Sequence, residues 1–253
     1  MPSGAPSLAR AGWTGGSNSQ LQSLLSVLQL SDSAFPSGRY TLSYGLEALV
    51  QSGQLTVPGD GPAMTALLGD TIRFGVAPSD GLALACAHRA AAGEGGVDLE
   101  SLAEVDRRLT AVKLAREARE ASTRTGRAVL ATATAAIAGP ALARYAQCIK
   151  LGEAPGNHAV VIGLLSALLG IPRVEALLGE LYAFSSGWVS AAIRLGLLNH
   201  RAAQRLLHLA RPVSVDAALE VIDRDVSQIS SCTPLLDVMA MQHEHAEVRL
   251  FAS

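Results

Sequence analysis

Between positions 20 and 228, apolar residues recur three and four places apart in one run after another. No window alternates apolar with polar residues for long enough to build a sheet. That pattern confines the chain to helices. Leu21, Leu24, Leu25 and Leu28 open the series and predict an amphipathic helix over 20–30. Further runs predict helices over 40–51, 61–75, 79–92, 99–111, 113–137, 140–151, 157–170, 173–197, 200–210 and 215–228. The punctuation between them fits: Ser52-Gly53, Pro78, Gly139-Pro140, Pro155-Gly156, Gly170 to Pro172, and Arg211-Pro212. Proline at a helix start and glycine past a helix end are the positions with least strain. No fixed period relates the runs, which excludes a stacked-repeat solenoid.

The expectation is an all-α fold, one domain of about ten packed helices over 19–235. Its core must be mostly Leu, Ala, Val and Ile, because 49 % of residues are apolar and only 4 % are aromatic. Residues 1–18 are rich in Gly and Ser, offer little apolar surface to repay ordering, and are expected to form a flexible tail. Residues 236–253 mix Met239, Met241, Leu250 and Phe251 with His243, Glu244, His245, Glu247 and Arg249. Such a terminus is expected to stay loose until a partner surface orders it.

Charge and cysteine usage narrow the function. A formal charge of −2 and a pI near 6.3 give no footprint for nucleic acid. Cys86, Cys148 and Cys232 are odd in number and far apart, so neither a disulfide framework nor a CxxC site is readable. The longest apolar stretch, 159–171, falls short of the roughly 20 residues needed to span a bilayer. The N-terminus lacks the apolar run of a signal peptide, and a cytoplasmic protein is expected.

Catalytic constellations are not readable either. The chain has no G-x-x-x-x-G-K-[ST], no GxGxxG after a strand and no GxSxG, so no nucleotide or other cofactor is expected. His243-Glu244-His245 is the densest ligand-type cluster, but residues two apart on a helix point about 200° from each other. They read as polar tail residues, and no metal site is expected. His88, His158, His200 and His208 stand apart from carboxylates and cysteines in sequence and read as hydrogen-bonded core or surface histidines. No helix pairs a nucleophile with a base, and the chain is expected not to be an enzyme. The most unusual local feature is Phe35-Pro36-Ser37-Gly38-Arg39-Tyr40, in which two aromatics bracket a Pro-x-Gly turn. It serves equally as a rigid binding anchor or as a helix–helix corner capped by two core aromatics.

From Leu28 to Gly38, LQLSDSAFPSG, and on through Tyr40-Thr41 and Ser43-Tyr44-Gly45-Leu46-Glu47, the sequence resembles the N-terminal signature of UreF-type urease accessory proteins. Met241, His243-Glu244, Arg249-Leu250-Phe251 and Ser253 resemble that family's C-terminal tail. Two positions depart from the pattern: Arg39 stands where a small residue is common, and Leu42 where His often occurs. The resemblance implies an all-α homodimer that bridges a UreD/UreH-type protein to the UreG-type GTPase. Such a scaffold couples GTP hydrolysis to nickel insertion into apo-urease. It further implies partner-binding roles for Phe35, Pro36, Gly38, Arg39, Tyr40, Ser43 and Glu47, and for His243, Glu244, Arg249, Leu250 and Phe251 in the tail. Two alternatives act on the same pathway: a GTPase-activating protein presenting Arg39, and a nickel carrier using His243 and His245.

Overall fold

The computed structural model describes residues 18–93, 95–137 and 139–243. Among them the chain forms helices and turns, with no strand. The order is α1 (Asn18–Ser31), a 3-10 turn (Arg39–Thr41), α2 (Leu46–Gln51), α3 (Gly61–Asp70), a π-helical segment (Thr71–Gly81) and α4 (Leu82–Ala91). Then follow α5 (Leu99–Val112), α6 (Arg116–Ala136), α7 (Pro140–Lys150), α8 (His158–Leu168), α9 (Arg173–Arg194), α10 (His200–Leu209) and α11 (Arg211–Val221). A 3-10 turn (Val226–Gln228) and α12 (Pro234–His243) close the described chain.

The apolar run that is too short for a membrane becomes the centre of the molecule. Every residue of α8 from His158 to Ser166 is buried, and the helix lies against α4, α6 and α9. A helix apolar on all sides belongs inside. Trp188, Tyr145 and leucines from α2 to α7 are fully buried in the same core, each side chain contributing about 2 kcal/mol on transfer from water. Local chemistry sets the helix starts: Asp60 accepts from the Ala63 amide at 3.2 Å, and Asp98 from the Glu100 and Ser101 amides at 3.1 Å.

The N-terminus of α8 is fixed by a buried carboxylate. Asp106 accepts hydrogen bonds from the Tyr145 hydroxyl and the Gly156 amide, both at 2.6 Å. It also accepts from the Asn157 amide at 2.9 Å and from Asn157 Nδ2 at 2.7 Å. One side chain on α5 therefore ties α7 and the 154–157 turn together.

Four features differ from the sequence expectation. Helix 40–51 is broken, because Tyr44 (φ 54°) and Gly45 (φ 81°) are successive left-handed residues ahead of α2. Pro78 does not end a helix. The chain stays helical from α3 through α4, and the wider π turns over Thr71–Gly81 absorb the missing amide. The leucine stripe of α1 faces outward: Leu21, Leu24, Leu25 and Leu28 are exposed, while Ser23 is buried and Val27 and Ser31 pack on Gly179 of α9. Finally, residues 234–243 form a helix lying against α2 and α6, with Met239 buried. The remaining tail residues, 244–253, lie outside the described residues.

Candidate functional site

The loop between α1 and α2 is a series of short-range turns. Asp32 Oδ1 accepts from the Ala34 amide at 2.7 Å, the Phe35 amide donates to the Asp32 carbonyl at 3.1 Å, and the Ser37 amide to the Phe35 carbonyl at 2.6 Å. Such side-chain and backbone bonds shape a loop without a regular ladder. Pro36, Gly38 and Tyr40 are exposed and Phe35 is half-buried. Tyr40 keeps 68 % of its surface in solvent, and the Arg194 guanidinium stands over its ring at 4.4 Å.

Arg39 turns the other way. Its Nη1 donates to Glu180 Oε2 at 3.0 Å and lies 3.1 Å from His158 Nε2. The side chains of Arg39, Glu180 and His158 are only 17 %, 6 % and 9 % exposed. A guanidinium only donates, so the histidine contact requires Nε2 as acceptor and places the ring proton on Nδ1. Nδ1 is itself buried without a partner. Burial alone would raise the Glu180 carboxyl, but the Arg39 guanidinium bonded to it outweighs burial and holds it at about 2. Burial alone would lower Arg39, and the Glu180 carboxylate reverses that and keeps the guanidinium charged. An arginine held this way does not reach outward toward a partner's phosphates.

Behind the loop, Tyr44 packs edge-on against Phe184 at 5.1 Å and 81°. Its hydroxyl end occupies the place where Gly187 would carry a Cβ. Ser43 and Glu47 lie below this layer, fully buried, and Gln51 donates to Glu47 at 3.3 Å. These two support the loop from beneath and offer no surface to a partner.

Two cavities meet at Arg39, Tyr44 and His158. One of about 200 Å³ opens under the 30–40 loop toward Gly187 and Arg194. The other, about 240 Å³, runs from Glu180 past Asp80, Lys113 and Ser122 to Leu236, Asp237 and Ala240 of α12. Lys113 Nζ pairs with Asp80 at 2.6 Å on its wall. Burial pushes the Asp237 carboxyl above its ordinary range, against Thr233 bonds and the Lys113 charge. Leu236 also comes within 3.3 Å of where a Cβ would stand on Gly45. The loop and α12, far apart in sequence, thus border one space. His243 ends α12, and Glu244, Arg249, Leu250 and Phe251 lie outside the described residues.

Two members of the candidate site carry no functional reading in the sequence: His158 reads there only as a hydrogen-bonded histidine, and Glu180 is not singled out. Glu180 had one visible signal: it is the only acid in the apolar run Ala176 to Phe184, and a charge on an inward helix face demands a partner. No group of three His, Cys, Asp or Glu side chains that could hold a metal ion occurs among the described residues. No described helix is long and apolar enough to cross a membrane.

The described residues thus form an all-helical body in which the segment that continues an exposed aromatic loop shares one cavity with α12. Comparison with known proteins gives this body a family. The UreF family model matches residues 60–211. A urease accessory protein UreF from Trichodesmium erythraeum is 32 % identical over 240 residues, covering 93 % of this chain and 99 % of that protein. One from Arthrobacter sp. is 33 % identical over 231 residues, covering 90 % and 96 %. The UreF 2 protein of Brucella canis is 32 % identical over 232 residues, covering 91 % and 92 %. The chain belongs to the UreF family of urease accessory proteins.

Proposed function

We propose that this chain is a non-catalytic scaffold of urease maturation, bridging a UreD/UreH-type protein and a UreG-type GTPase. In that position it couples GTP hydrolysis to nickel insertion into apo-urease, working as a cytoplasmic homodimer without a cofactor of its own. The observation that carries this reading is the convergence of the 39–45 segment, which continues the exposed loop, and α12 on one cavity. The N-terminal motif thereby comes beside the helix that leads into the C-terminal one, with Tyr40 as a preformed aromatic anchor. For the homodimer, the exposed leucines of α1 supply an apolar face on a helix without a charged residue.

Co-purification with UreD/UreH-type and UreG-type proteins of the same source organism, with and without residues 244–253, tests the scaffold. A complex that depends on the tail is the expected result. A folded, helical protein that recruits neither partner under any condition would overturn it.

A further inference from the structure

Three residues of α9 that hold the loop lie seven positions apart: Glu180, Gly187 and Arg194. Seven residues are close to two helical turns, so the three share one face. Each meets a different part of the 39–44 segment. Glu180 binds the Arg39 guanidinium, Gly187 receives the Tyr44 ring, and Arg194 stacks on Tyr40 and reaches the Leu42 carbonyl at 3.4 Å. Just beside this stripe, Gly179 accepts from Ser31 Oγ at 3.2 Å at the end of α1.

We propose that this stripe of α9 is a clamp, in which Glu180 and Arg194 are positioning residues that set the shape of the docking loop before any partner arrives. The inference rests on the reading that the loop docks a UreD/UreH-type protein. The backbone bonds that the loop makes are short-range, within Gln29 to Leu42. They shape its turns and leave its placement on the body to side chains. Glu180 supplies that placement through Arg39, since the carboxylate is on a rigid helix and the guanidinium on the loop. Arg194 supplies it through Tyr40, holding the ring in one orientation while most of its surface stays in solvent. A loop already in its bound shape gives up less conformational entropy on docking, so the clamp acts on affinity without touching the partner.

The same clamp explains why Arg39 is tolerated in place of a small residue. The long side chain has a carboxylate and an imidazole waiting for it inside, so it adds a tether rather than an obstruction.

Full-length protein carrying Glu180→Gln, Arg194→Ala, Arg39→Gln, or Arg39→Gln with Glu180→Gln together decides the matter. Two readouts are taken: amide hydrogen exchange over 35–42, and affinity for the UreD/UreH-type protein. In Glu180→Gln the loop amides should exchange about tenfold faster while α4 and α8 keep wild-type protection. Affinity should fall about tenfold in the same variant. When Arg39 is already Gln, adding Glu180→Gln should change affinity by less than about twofold, because the residue acts only through Arg39. Unchanged loop exchange, or an additive loss in the double variant, would overturn the clamp. Arg194→Ala, at the edge of the cluster, gives the exchange readout on Tyr40 to Leu42 even if Glu180→Gln does not fold. If wild-type protein binds no such partner the scaffold reading falls, and the exchange data still judge the clamp.

Discussion

Asn157 and His158 are neighbours in sequence, yet each points into a different buried polar cluster. Asn157 belongs to the Asp106 hub, and His158 to the Arg39–Glu180 pair. In the hub the carboxylate accepts four bonds between 2.6 and 2.9 Å, each from a core residue or a turn amide. Only Asn157 Oδ1 is left without a partner there. In the second cluster His158 Nδ1 and the nearby Tyr44 hydroxyl are unpartnered, and open space lies on both sides. Four short bonds to one carboxylate inside a packed core specify a rigid structure, whereas a network bordered by cavities can be pulled apart without unpacking the core. The first holds the body together, and the second joins a loop to it.

The sharpest way to separate the two is to delete each centre. Asp106→Ala leaves the Tyr145 hydroxyl and the Gly156 and Asn157 amides without an acceptor in a packed interior. It should destabilise the whole domain by about 4 kcal/mol. Chemical denaturation followed by circular dichroism should show a lower midpoint with an unchanged slope. A loss confined to the loop would show that the hub is not the fastening that its bonds suggest.

Arg39→Ala strands the Glu180 carboxylate, but on the wall of a cavity where water can enter. The expected cost is smaller, about 2 kcal/mol. Removing both charges with Arg39→Gln and Glu180→Gln should recover most of that stability while leaving the loop untethered. If the double variant is less stable than Arg39→Ala alone, the pair contributes more to the fold than to the loop.

How much of this could be read from the chain depends on the range of the interaction. The helical class, α1 and the 32–38 turns follow from periods and turn formers only a few residues long, and they are legible. The Arg39 contacts span 119 and 141 positions, and no local pattern signals such a pairing. The outward leucines of α1 show a different limit. Periodicity at Leu21, Leu24, Leu25 and Leu28 reveals a helix and its apolar face, but not whether that face turns to the core or away. Here Gly179 draws the small-residue side of α1 inward, a fact about α9. Pro78 is legible as a constraint and misread as a stop, because the sequence does not show that the helix widens into π turns around it.

Acid separates the clusters by a smaller effect. The Glu180 carboxyl is held at about 2, below the 4.5 of a free glutamate, by the Arg39 guanidinium against burial. A depressed carboxyl contributes stability that is fully present above the unfolded value and is lost as pH falls through the folded one. The contribution should therefore fade between pH 4.5 and about 2. Glu180→Gln should flatten that part of the stability curve and leave the plateau near neutrality to the rest of the fold. An acid limb identical in wild type and Glu180→Gln would mean that the carboxyl titrates as an ordinary one.

The least effect on stability should come from the residue most exposed in the loop. Tyr40→Ala removes a ring that is 68 % in solvent and touches the body chiefly through Arg194 at 4.4 Å. Its cost to folding should stay within about 0.5 kcal/mol, the usual range for a surface substitution. Its cost to docking should be larger, above about 1 kcal/mol or fivefold in affinity, because an aromatic anchor held in place concentrates binding energy. The opposite ordering holds for Asp106→Ala, where any loss of binding should follow the loss of the folded state. Measuring affinity and midpoint for both variants places each on a plot of binding against stability. The hub should fall along the line expected of unfolding, and Tyr40 should fall well off it. If Tyr40→Ala lay on that line, the exposed ring would be only a cap on Arg194, and the loop's role in docking would pass to Phe35 and Pro36.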